Sequence, residues 1–63
     1  MTHPTTQTTV AVDNTLGTNA VAVQTVNRRS HVNVVHGTVP AGQSATVGPF
    51  PQDWDEDVQT VNA

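Results

Sequence analysis

Cysteine, isoleucine, tyrosine and lysine are all absent from these 63 residues, and Leu16, Phe50, Trp54 and Met1 are each the single residue of their kind. Without cysteine there is no disulfide and no thiolate metal site, and the redox compartment leaves no trace in the sequence. Without lysine, and with Arg28 and Arg29 as the only cations besides histidine, the chain neutralises at most two phosphates. Only two aromatic side chains are available as stacking platforms for bases. A nucleic-acid partner is therefore not expected. No apolar run reaches the length of a membrane span, and the Thr-rich start lacks the charged and apolar regions of a signal peptide, so no membrane partner is expected either.

What is present is β-branched. Twelve valines and eleven threonines account for 23 residues. Branching at Cβ stiffens χ1 and suits the pleated, half-buried surface of a strand better than a helix. The expected fold is all-β: a small antiparallel sandwich or partly open barrel of about four or five strands, flanked by an extended N-terminal arm and a C-terminal extended or short helical segment.

The alternation of residues divides the chain into a polar arm over 1–7, a β domain over 8–50 and an acidic segment over 51–63. Strands are expected at residues 8–12, 20–27, 31–38 and 44–47. Asp13, Asn14, Gly17 and Asn19 mark the first loop, and Arg28-Arg29-Ser30 an exposed reversal. In the third strand Val32 and Val34 share a face and Val35 breaks the alternation. A bulge near Val34-Val35, or burial of both strand faces, would turn all three valines inward. Val39-Pro40-Ala41-Gly42 reads as a type I turn closing a hairpin with a glycine bulge. The prolines of Gly48-Pro49-Phe50-Pro51 end the fourth strand in an extended crossing or an edge piece. Beyond them the pattern is ambiguous. Residues 58–61 fit a fifth strand, whereas Trp54, Val58 and Val61 also fall on one face of a helix.

No constellation carries recognisable chemistry. Asp53, Asp55 and Asp57 imitate the first positions of a calcium loop, but Val58 stands where the invariant glycine belongs and the chain ends before the twelfth position. His31 and His36 are too few for a closed zinc site, and His3 lies in the arm. Ser30 and Ser44 have no nucleophile elbow, and no asparagine has Ser or Thr two positions on. No catalytic residue, metal ligand or cofactor is expected. Phe50, Trp54 and Val58 are the expected interface residues. The two aromatic rings either plug one end of a valine core or anchor a neighbouring chain, where Phe and Trp are favoured contacts.

Size gives the functional direction. A chain this short buries only about 60% of its unfolded surface. Valine lacks one methylene relative to isoleucine, each such group contributes roughly 0.8 kcal/mol when buried, and over twelve sites the shortfall approaches 10 kcal/mol at most. Association commonly offsets such a deficit in small scaffolds. In composition alone, the Val/Thr/Ala/Gly-rich module with a polar arm and acidic tail resembles accessory subunits of phage and virus particles. That likeness implies a non-enzymatic structural subunit, capsid-decorating or tail-associated and located in the virion. Its partners would be other protein chains, either copies of itself or a larger shell or tail protein. The alternative is a free-standing β module that recognises a carbohydrate or protein ligand.

Overall fold

The computed structural model describes residues 5–63. Met1 to Pro4, including His3 and most of the polar arm, lie outside the described residues. The described chain is all-β, with five strands: β1 (Thr6–Asp13), β2 (Val21–Asn27), β3 (Asn33–Val39), β4 (Ser44–Gln52) and β5 (Glu56–Asn62). They form two antiparallel sheets, one of order β1-β4 and one of order β3-β2-β5. The core lies between them: Val23 and Val39 from one sheet and Val47 and Phe50 from the other, with Val10, Val12 and Val58 packed at its border.

The alternation of residues explains which face is buried. In β1 the even positions Val10 and Val12 turn inward while Thr9, Ala11 and Asp13 are exposed. In β2 Val23 and Thr25 are fully buried, and the register sets Val23 opposite Gly37 and Thr25 opposite Val58. Gly37 is a packing residue. A Cβ there would stand 2.9 Å from Cγ1 of Val47, so its absence lets β4 close onto β3. Val47 is only 7% exposed as a result.

Several expectations are corrected. Of the two alternatives for the C-terminal segment the strand is the one found, because β5 has a full-length partner in β2, from Val21↔Asn62 to Asn27↔Glu56. Thr6 and Gln7, assigned to the arm, belong to β1. The fourth strand does not stop at Gly48 but runs through Pro49 and Pro51 to Gln52. It tolerates them as an edge strand, absorbing the irregularity by setting Gly48 and Pro49 against Thr9 alone. The Gly48–Pro49 bond is cis. The third-strand bulge falls one residue later than expected, at His36, which is the extra residue between the pairs Gln24↔Val35 and Val23↔Gly37. This shift turns His36 inward and leaves Val32, Val34 and Val35 substantially exposed.

The segment around Gly42 is not a hairpin. β3 and β4 lie in different sheets, so the turn is the corner where the chain crosses between them. Gln43 N donates to Pro40 O at 3.3 Å, which places Gly42 third in the turn. Its φ of 82°, with no positive φ at Ala41, identifies a type II turn, displaced by one residue from the expected type I turn. A Cβ at Gly42 would touch nothing within 4 Å, so the demand is purely conformational. Gly42→Val should therefore lower the melting temperature clearly more than Gly42→Asn, since Asn tolerates positive φ and a β-branched residue does not. Equal shifts in circular-dichroism melts would contradict this backbone assignment.

Candidate interaction surface

Two loops meet at one end of the three-stranded sheet, and the amide groups of Asn27 organise the first. Its Oδ1 accepts hydrogen bonds from Arg29 N and Ser30 N, both at 2.8 Å. Its main-chain carbonyl accepts from His31 N, and its own N–H donates to Val32 O. His31 completes the reversal with φ 64°. The loop thereby holds Arg28 and Arg29 against the second loop, residues 53–55. Arg28 N donates to Asp55 O at 2.8 Å, and Nη2 of Arg28 donates to the Trp54 carbonyl. Nε of Arg28 also lies 3.7 Å from Asp57 Oδ1, a half-exposed ion pair contributing about 1 kcal/mol or less. The guanidinium of Arg29 sits over the Trp54 ring, 5.7 Å from its centroid, within cation–π range.

Trp54 remains 49% exposed, and Val32, Val34 and Val35 are 45–58% exposed on the neighbouring strand and its approach. This end of the molecule therefore presents the Trp54 ring beside the Arg29 guanidinium. Most of the acidic run folds back onto the same loops. Asp55 supplies its carbonyl to Arg28, Glu56 accepts from Asp53 N at 2.8 Å through Oε1, and Asp57 faces Arg28. Those partners are local, and the run caps the turn into β5.

The three expected interface residues occupy different environments. Phe50 is 5% exposed and stacks on the His36 ring, with centroids 4.1 Å apart and planes 9° from parallel. Val58 is half-buried at the core border. Only Trp54 lies at the surface, so the two aromatic rings do not act together as a plug. His36, which the sequence did not single out for the core, joins Phe50 to β2 by a 2.9 Å hydrogen bond between its Nε2 and Thr25 Oγ1. The broken alternation at Val35 signalled a bulge, but its placement at His36, which turns that ring inward, is set by pairing with β2.

The opposite end is polar. Asn14, 6% exposed, donates through Nδ2 to the carbonyls of Asn19, Val39 and Pro40. Its main chain bonds Gly17, Gly42 and Gln43. Next to it a shallow, open concavity is lined by Ala11, Val12, Asp13, Thr15, Ser44, Ala45 and Thr46. Oδ1 of Asp13 accepts from the Thr15 hydroxyl at 2.7 Å and from Thr15 N at 3.2 Å. Chiefly the hydroxyl bond, then the backbone bond, holds this carboxyl below its usual range. A carboxylate tuned that way is a weaker base, which is opposite to what proton abstraction near neutral pH requires. Among the described residues no three His, Asp or Glu side chains converge as metal donors, and no helix is long and apolar enough to cross a membrane.

These placements separate the two aromatic residues energetically. Phe50→Ala should cost about 3–5 kcal/mol, enough to unfold a chain of this size. Trp54→Ala should cost roughly 1–2 kcal/mol and Asp55→Ala less than 1 kcal/mol, both leaving the strand spectrum intact. Thermal melts of the three variants rank them. A Trp54→Ala chain as unstable as Phe50→Ala would place the indole in the core. Compared with protein-family models, with curated proteins and with solved structures, the chain finds no match.

Proposed function

We propose that this protein is a non-enzymatic structural or interaction subunit that completes its core against other protein chains. Its finer assignment is an accessory subunit of a phage or virus particle, decorating or cementing a shell or associated with a tail. The observation that carries the reading is the thinness of the molecule. Its principal extents are 44 × 20 × 12 Å and its radius of gyration is 12.6 Å. A compact chain of this length has a radius of roughly 11 Å. Among the described residues only Ala22, Val23, Val39, Val47 and Phe50 are fully buried apolar residues, while Leu16, Val32, Val34, Val35, Trp54 and Val61 remain at the surface. Nearly as many large apolar side chains thus stand exposed as pack into the core, which favours a chain that meets neighbours.

A second reading, a free-standing binding module, is favoured by one feature. Trp54, framed by Arg28 and Arg29, offers an aromatic ring beside hydrogen-bond donors, a combination suited to a sugar ring or a peptide.

Dilution distinguishes the two. If the chain is stabilised by association, mass action makes its melting temperature fall with concentration. Melts across a hundredfold dilution should shift by several degrees, with a sedimentation mass above that of one chain. A monomer whose melt ignores dilution would support the binding module instead. Mass spectrometry of purified native particles tests the virion assignment directly.

A further inference from the structure

The sheet edges of this molecule are treated unequally. Among the described residues only β2 is paired on both sides, so β1, β3, β4 and β5 each leave an edge open. An open edge is a template for a foreign strand, and proteins ordinarily blunt it with proline, bulges or charge. β4 carries Pro49 and Pro51 and holds Gly48 at φ 119°. β3 carries the bulge at His36 and runs into Pro40. β5 opens with Glu56 and Asp57 directly after Asp55. On β1 the single such device is the charge of Asp13, at the last position of the strand. From Thr6 to Val12 it contains no charge, proline or glycine, and five of these seven residues are β-branched. The irregularity in its pairing puts the extra residue on β4.

We infer that β1 is a self-association edge, pairing antiparallel with β1 of a second copy to give a continuous sheet of order β4-β1-β1-β4. This inference rests on the assembly reading above and names its partner and seam. A two-fold axis perpendicular to the sheet keeps the faces aligned, so residues of like parity meet across it. Thr6, Thr8, Val10 and Val12 then face their counterparts on the core side, and Gln7, Thr9 and Ala11 theirs on the outer side. Cross-strand pairs of β-branched residues are favourable ones. Val10 and Val12, now only half-buried at the border of the core, gain cover from the second copy.

Charge argues for a copy of this chain over an unlike partner. Between Thr6 and Val12 the seam offers no ionic group for a charged peptide to recognise, yet it lets two chains of net charge −3 approach. With the axis at Thr9, which sets Thr9 against its own counterpart, the two Asp13 carboxylates lie at opposite ends of the seam. Their separation is about 20 Å or more along the strands, beyond the Debye length of about 8 Å at physiological salt.

The absence of cysteine makes a clean test available. Gln7→Cys, Thr9→Cys and Ala11→Cys each place one thiol on the outer face of β1, and Thr46→Cys places one on the same face of β4, opposite Ala11. Directly opposed residues of an antiparallel pair have Cα atoms about 4.5–5.5 Å apart, within disulfide range. At least one of the three β1 variants should oxidise to a covalent dimer ten or more times faster than Thr46→Cys at equal concentration. As a second measurement, Thr9→Lys should weaken dimerisation at least tenfold with an unchanged strand spectrum, while Thr46→Lys leaves it unaltered. If no β1 cysteine outpaces Thr46→Cys although the wild-type chain sediments above the monomer, the seam lies elsewhere and only the β1 inference falls. If the wild-type chain is a monomer with a dilution-independent melt, the assembly reading falls with it.

Discussion

Among the described residues Phe50 is the only buried side chain larger than valine, and it is held from two directions. On its flat face lies the His36 ring, fixed in turn by the hydroxyl of Thr25 on the central strand. On the chain itself, Gly48 brings β4 close to β1. A Cβ at that glycine would stand 2.6 Å from the Thr8 carbonyl, and φ of 119° is closed to most side chains. The two sheets therefore meet through an aromatic ring on one and a bulged histidine on the other. With only valines elsewhere, that stack sets how far apart the sheets can stand. Val47 over Gly37 closes the remaining gap.

Polar groups hold the ends where the apolar core gives out. At one end Asn14 satisfies three carbonyls from two different loops and anchors the corner turn at Gly42. Buried amides of this kind are stabilising only when their partners are complete, and no buried side-chain polar atom among the described residues lacks one. At the other end Asn27 performs the corresponding task for the arginine loop. The fold is thus a narrow apolar strip between two hydrogen-bonded ends, and its flanks are left to open strand edges.

Much of this architecture was legible from Cβ branching and turn chemistry. Four strands, the Arg28-Arg29-Ser30 reversal and the positive φ of Gly42 follow from residue type and spacing. The rest depended on who pairs with whom. The β5 assignment was open because Trp54, Val58 and Val61 fit a helix face as well as a strand, and only pairing with β2 decides between them. Pro49 and Pro51 look like a terminus until β4 proves to be an edge strand. Of the candidate surface, Trp54 was visible through its scarcity. Its framing by Arg28 and Arg29 was not, since those residues are remote in sequence and meet only because β2 and β5 start and end at the same level. Asn14 carried no mark that distinguished it from Asn19 or Asn33.

The sheet order also fixes the route by which the chain can reach this state. Of the paired strands only β2 and β3 are joined by a short reversal; Thr6 must find Gln52, and Val21 must find Asn62. Most of the backbone ladder is therefore non-local, and the entropy of closing long loops comes due before the small valine contacts reward it. The β2–β3 hairpin is the natural first structure, and it already exposes a complete pairing edge on β2. A chain paused at that stage would offer the edge to any strand within reach, so the speed with which β5 arrives decides between folding and entanglement with a neighbour.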